Sequence, residues 1–313
     1  MNSIKSSAPG KVILSGEYAV LDGAPAVSMA VNRRAVITLA AADDLSIQSI
    51  GLAGDKDTRI FECACDALAI HRWRGTVLLD TRAFADSTSG IKFGIGSSAA
   101  LTVGLVCALA ASARGEISGL ELFRCSQKAH HAFQQGVGSG VDVATSIVGG
   151  LVEYCVGETP RSLAWPDGLH YQLLWSGVPA NTSEKLRRLP DSKTRGSNGA
   201  LSEVAANVAE AWISGDAAAI VGEYRDYVPV LRQFDIDHGL GIFDAGHDAL
   251  AEKKMSANIV YKPCGAGGGD IGIVLGTEKQ AVKAFAHKVG DFGFRQLDMT
   301  IDDIGVVLNG AGA

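Results

Sequence analysis

The chain has 313 residues, with 28 Lys and Arg against 34 Asp and Glu for a formal net charge of −6, and is 47% hydrophobic and 20% charged. These values belong to a globular protein with room for two cores, and the acidic balance argues against nucleic acid as a partner. No uninterrupted apolar run reaches membrane-spanning length and the opening MNSIKSSAPGK lacks an apolar signal segment, so a cytoplasmic protein with no membrane partner is expected.

Apolar patterning predicts strands at Val12–Leu14, Val27–Val31, Ala35–Ala40, Leu45–Ile50 and Val77–Asp80. Helices are expected at Thr58–His71, Ser98–Ala113, Ser118–Gln135 and Val141–Ile147, then a strand at Leu151–Tyr154. Pro160 and Pro166 mark Gly157–Gly168 as a boundary, dividing the chain into 1–160 and 161–313. The second part reads as a strand at Tyr171–Trp175, helices near 199–214, 216–232 and 241–254, strands at Ala257–Tyr261 and Ile271–Leu275, and a helix at Glu278–Val289. The class is α+β, and nothing in the sequence separates a monomer from a homodimer. Cys63, Cys65, Cys107, Cys125, Cys155 and Cys264 form no CxxC pair and read as reduced thiols rather than a metal site. Arg33, Arg34, Trp73, Trp165 and Trp175 read as structural residues.

Three glycine-rich segments carry the chemistry: APGKVILSGEYAVL at 8–21, KFGIGSSAALTVG at 92–104 and KPCGAGGGDIGIVL at 262–275. Phosphates need close backbone N–H groups, and three such segments together point to a kinase that uses ATP. In the second, Gly94 and Gly96 remove side chains that would hold a ligand away, and Ser97 and Ser98 supply hydroxyls. The helix that follows offers its positive end to a polyphosphate, although a serine N-cap on a core helix would leave the same pattern. A fourth segment, AHHAFQQGVGSGVDVATSIVGGLVEY at 129–154, places Asp142 at a helix start, where it could pair with Lys11 and orient an acceptor oxygen.

Two familiar phosphate motifs do not account for these segments. A P-loop fails because Lys5 stands where its first glycine belongs and Val12 where Ser or Thr must follow the lysine. The dinucleotide fingerprint matches at Gly94, Gly96 and Ala99, but STSGIKF is not the apolar strand that must precede it.

The order of the PGK, GxGSSAA, GSGxDxA and GAGGGD segments resembles the GHMP kinase superfamily over nearly the whole chain. The resemblance implies a domain like the second domain of ribosomal protein S5 followed by a ferredoxin-like domain, with ATP and Mg²⁺ bound between them. It implies Asp142 as the catalytic aspartate, Lys11 as its lysine partner, and Gly94, Gly96, Ser97, Ser98 and Ala99 as the phosphate loop, with Ser98 the Mg²⁺-binding hydroxyl. Lys92, Gly267 and Gly268 would also meet ATP, and Lys92, Ser139, Gly140, Gly265, Ala266 and Arg187 the small-molecule acceptor.

Within the superfamily, GEYAVLDG, Lys92, AHxxxQxxxGSGxDVA, WSGVPANTS and KPCGAGGGDIGI are similar to phosphomevalonate kinases. Mevalonate kinases carry His where this chain has Tyr18, and a Mg²⁺-binding Glu where it has His131. Lys11 sets the chain apart from the diphosphomevalonate decarboxylases. The expected reaction is ATP-dependent conversion of phosphomevalonate to diphosphomevalonate, with mevalonate or another small alcohol as the alternative acceptor. A non-catalytic nucleotide-binding relative is a third reading, weakened by the presence of Lys11, Ser98 and Asp142. An acceptor phosphate is already largely ionised near neutral pH, so Asp142 would position it rather than deprotonate it. Lys92, His130, Lys185, Arg187, Arg188, Lys193 and Arg195 are the cations available for it, the last five also reading as a solvated face. His130 and His131 read equally well as ordinary surface or core histidines.

Overall fold

The first two apolar segments form β1 (Ser3–Ser15) and β2 (Ala26–Ala40), a long antiparallel pair. The computed structural model describes residues 3–51, 56–115, 117–180, 182–189, 196–253 and 255–309. The two strands expected at Val27–Val31 and Ala35–Ala40 are one. The register slips between Pro9, opposite Arg34, and Gly10, opposite Val31, so a bulge absorbs the interruption at Arg33. Proline, which cannot donate to the ladder, is tolerated at such a place.

A seven-stranded sheet grows from this pair in the order β11-β1-β2-β4-β3, with β4 at Gly75–Asp80, β3 at Leu45–Ile50 and β11 at Val307–Asn309. A branch of β5 (Leu151–Tyr154) and β6 (Arg161–Leu163) continues from β2, and β6 falls inside the stretch expected to be a boundary loop. Arg34 pins the segment leading to β11, donating to Asp302 at 2.6 Å and to the carbonyls of Ile304 and Gly305. Helices α1 (Lys56–Ala67), α2 (Ser97–Ala113) and α4 (Val141–Val148) pack with this sheet, and α3 (Gly119–Phe133) packs on those three helices. Helix α2 is apolar all round and buried along most of its length, as a core helix should be.

The second sheet holds β7 (His170–Trp175), β8 (Ile259–Pro263), β9 (Ile271–Gly276) and β10 (Arg295–Leu297), all antiparallel in the order β10-β7-β9-β8. Between β7 and β8 lie α5 (Thr182–Arg188), α6 (Gly196–Ser214), α7 (Ala217–His238) and α8 (His247–Ala251), and α9 (Lys279–Ala286) precedes β10. Counting the α5–α8 region as one crossover, this is the β-α-β-β-α-β arrangement of a ferredoxin-like sheet. The helix expected over 241–254 shrinks to α8, because Gly241 and Gly246 take φ of 64° and 86° and break the first turns. No helix among the described residues is long and apolar enough to cross a membrane.

Candidate active site

The second glycine segment enters α2 with Gly96 at the cap position, φ 76°, and no side chain capping the first turn. The helix N–H groups there are therefore not consumed by a serine cap and remain for a ligand. The two loop glycines have a different reason than the one expected. A methyl group at Gly94 would come within 2.2 Å of Asp270 Oδ2, and one at Gly96 within 3.0 Å of Lys11 Cε. These glycines make room for two protein side chains, and Gly94 borders the cavity that Lys11 and Asp270 also line. The Lys11 backbone N–H is in turn held by the Ile95 carbonyl at 2.9 Å, which fixes the first segment to the second.

Asp142 stands in the first turn of α4 after Gly140, φ 84°, with its side chain 20% exposed. Gln127 donates to the Gly140 carbonyl at 3.1 Å and so holds the loop that aims the acid. His130, 2% exposed, lies between the two serine- and aspartate-bearing helices. Its Nε2 is 3.1 Å from Ser98 Oγ and its Nδ1 3.8 Å from Asp142 Oδ1. Burial lowers its pKa, partly offset by the Asp142 charge. His131, at the place where the resemblance puts the glutamate of mevalonate kinases, is exposed instead.

The third glycine segment is the turn of the β8–β9 hairpin, and it is tied to the first by a buried network. Lys262 and Glu17 form an ion pair with side chains 0% and 1% exposed. Glu17 also accepts from Tyr227 at 2.6 Å and from the Gly265 N–H at 3.3 Å, and Tyr18 donates to the Ala266 carbonyl at 2.7 Å. On the other side, His247 lies 3.0 Å from the Gly269 carbonyl and 2.6 Å from Tyr261 Oη, and burial drives its pKa down to about 4.

Asp270 ends this segment with φ 53°, a left-handed backbone that aspartate enters more readily than most side chains, and accepts from the Ala180 N–H at 3.2 Å. Burial raises its pKa from 3.8 to about 6, against the opposing pull of the Ala180 N–H, Lys11 and Lys185. The folded state therefore binds this proton more tightly than the unfolded chain does. The resulting stability is complete below about pH 4 and gone above about pH 6. Asp270→Asn keeps the Ala180 acceptor without the charge. It is expected to raise stability at pH 8 by about 1–3 kcal/mol, with no gain at pH 4, as read by urea unfolding at both values.

Two cavities meet at this junction and share Gln134. One, of about 130 Å³, is lined by Lys11, Asp142, Ser139, Gly265, Ala266 and Asp270, with Ile13, Tyr18 and Leu21 on its apolar side. The other, of about 410 Å³, is lined by Ser97 and Ser98 together with four cations, Lys56, Arg59, Lys92 and Arg187. Lys92 is exposed at its rim, yet partial desolvation and the charge of Lys56 lower its pKa. Arg187 donates to Gln135 at 2.8 Å, on the phosphate-loop side rather than beside Asp142.

Several expected ligand contacts are not brought together. Gly267 and Gly268 line neither cavity; they pack on the backbone of Gly241 and Ile242, with Lys185 bonded to the Gly241 and Gly267 carbonyls. Gly96, Ala99 and Gly140 are likewise absent from both linings, Ala99 being fully buried. Lys193, Arg195 and the Arg188 side chain lie outside the described residues. Asp270, Lys56 and Arg59 escaped the sequence reading, which weighed His130 only as a cation for the acceptor and gave Gln134 no role within the AHxxxQ motif; the lone acid closing a glycine run was the one visible sign of Asp270.

Among the described residues no group of three or more His, Cys, Asp or Glu is placed to hold a metal. Mg²⁺ does not need one, since it takes one or two protein oxygens and completes its shell with phosphate and water. Ser98 Oγ, a hard oxygen donor on the wall of the four-cation cavity, fits that requirement as a single protein ligand.

The family model for the GHMP kinases N terminal domain matches residues 61–150. A phosphomevalonate kinase of Streptomyces sp. (strain CL190) is 31% identical over 351 residues, spanning 91% of this chain and 92% of that protein. The mevalonate kinase of Homo sapiens is 27% identical over 382 residues, spanning 97% and 94%. The structure of Streptococcus pneumoniae phosphomevalonate kinase in complex with phosphomevalonate and AMPPNP shares the fold with a TM-score of 0.75 at 20% identity, over 96% of this chain and 100% of that one.

Proposed function

The chain belongs to the GHMP kinase superfamily and is an ATP-dependent kinase, and from that premise we propose that it phosphorylates phosphomevalonate, giving diphosphomevalonate and ADP. The observation that carries this reading is the contact of the four-cation cavity with the Lys11–Asp142 pocket at Gln134. ATP lays its phosphates along the first turn of α2, among Lys56, Arg59, Lys92 and Arg187. The acceptor fills the smaller pocket, its apolar carbons against Ile13, Tyr18 and Leu21 and its phosphate toward the junction. There Lys11 offsets charge on the transferring group, and Asp142 orients the attacking oxygen. That oxygen, already deprotonated, forms the new P–O bond as the bond between the β- and γ-phosphates breaks and ADP leaves. Ser98 would hold Mg²⁺, which when bound neutralises charge on the phosphate oxygens. Residues 1–160 supply the phosphate loop and Asp142, and residues 161–313 the hairpin that closes the pocket, in a protein of the cytoplasm acting as monomer or homodimer.

The similarity to the Streptomyces enzyme over most of both chains supports the phosphorylated acceptor. One observation favours a second reading: besides Lys11, the small pocket presents the carboxyls of Asp142 and Asp270, a balance that suits an uncharged hydroxyl such as that of mevalonate. ADP release measured with ATP-Mg²⁺ and phosphomevalonate, mevalonate, homoserine, galactose or no acceptor separates the two. Turnover with phosphomevalonate alone is expected; turnover with mevalonate alone would replace the first reading by the second.

A further inference from the structure

Three helices converge on one buried imidazole: α2 through Ser98, α4 through Asp142 and α3 through His130 itself. A neutral imidazole has one N–H and one bare nitrogen, and the partner at one nitrogen decides the state of the other. The Asp142 carboxylate, 3.8 Å from Nδ1, is too far for a hydrogen bond but faces that nitrogen with negative charge, which favours the proton there. Nε2 is then bare, and at 3.1 Å it can only accept the hydroxyl proton of Ser98.

We propose that His130 is a positioning residue that turns Ser98 into an obligate acceptor, its hydroxyl proton held inward by Nε2 and its oxygen lone pairs turned toward the phosphate cavity. A free serine hydroxyl can rotate to donate to a phosphate oxygen or to accept from a cation. With its proton committed to His130, only the second remains, so Ser98 presents itself to a cation and Asp142 fixes that choice from the opposite side of the ring. The inference rests on the reading of Ser98 and Asp142 as site residues. It explains why the histidine of the AHH pair that matters is the buried one and not its exposed neighbour.

Two measurements test it. In ¹⁵N spectra of histidine-labelled protein, with the His130→Gln spectrum identifying the resonances, the ring is expected to carry its proton on Nδ1; a proton on Nε2 overturns the inference without any variant having to fold. In calorimetric titrations of ATP with and without Mg²⁺, His130→Leu is expected to lose about 10–100-fold in the Mg²⁺-dependent part of the affinity. His130→Gln, whose amide oxygen can accept the serine proton, is expected to keep most of it. If Ser98→Ala weakens ATP-Mg²⁺ binding and His130→Leu does not, the inference fails and the reading of Ser98 stands. If neither variant has an effect, that reading falls as well. A histidine with a structural role alone would lower Tm in both variants and leave the two titrations parallel, which also overturns the inference.

Discussion

Lys262→Met is expected to destabilise the fold by about 3–5 kcal/mol, the usual cost of removing one partner of a buried ion pair. Lys262 and Glu17 come from β8 and the turn after β1, and both side chains are sealed from solvent. Methionine fills the volume of the lysine stem but leaves the Glu17 carboxylate facing only the Tyr227 hydroxyl and the Gly265 N–H. Stability of a domain is about 5–15 kcal/mol in total, so the variant approaches the limit of folding at ordinary temperature. The double variant Glu17→Gln/Lys262→Met removes the charge as well and is expected to recover most of the loss. Urea unfolding reads both. A single variant as stable as the parent would show that the pair is not what locks the third glycine segment to the first.

Lys11→Met is expected to lower turnover by about 10²–10³-fold, the effect of losing one preorganised charge at a phosphoryl or oxyanion site. The lysine stem packs across Gly96, and methionine retains most of that contact, so the fold should persist. What disappears is the ammonium in a pocket whose other charged lining residues are the acids Glu17, Asp142 and Asp270. The loss should therefore fall on kcat, with ATP binding in the four-cation cavity largely preserved. Unchanged turnover would remove Lys11 from the transfer step.

Much of the architecture follows from local pattern. The apolar run behind Ser97 and Ser98 could only be a core helix, and the glycine run at 265–269 could only be a turn between two strands. The reasons behind particular residues were hidden because they depend on partners remote in the chain. Glu17 meets Lys262 across 245 positions, and neither residue announces its burial in sequence. Gly94 looked like room for a phosphate because the acid that fills the space belongs to the other sheet. His130 and His131 are alike in sequence, but neighbours on a helix point about 100° apart, and only one direction leads to Ser98. The split of the expected acceptor residues, with Ser139, Gly265 and Ala266 in the small pocket and Lys92 and Arg187 in the large one, is likewise a matter of tertiary placement.

The central claim, transfer to an oxygen that already belongs to a phosphate, makes a phosphorus–oxygen–phosphorus link in the product. A ³¹P spectrum of the protein with ATP-Mg²⁺ and phosphomevalonate reads that link directly. The expected result is loss of the monoester resonance and growth of a coupled pair of diphosphate resonances in step with ADP. An unchanged monoester resonance, with a new uncoupled one arising when mevalonate is supplied instead, would contradict it.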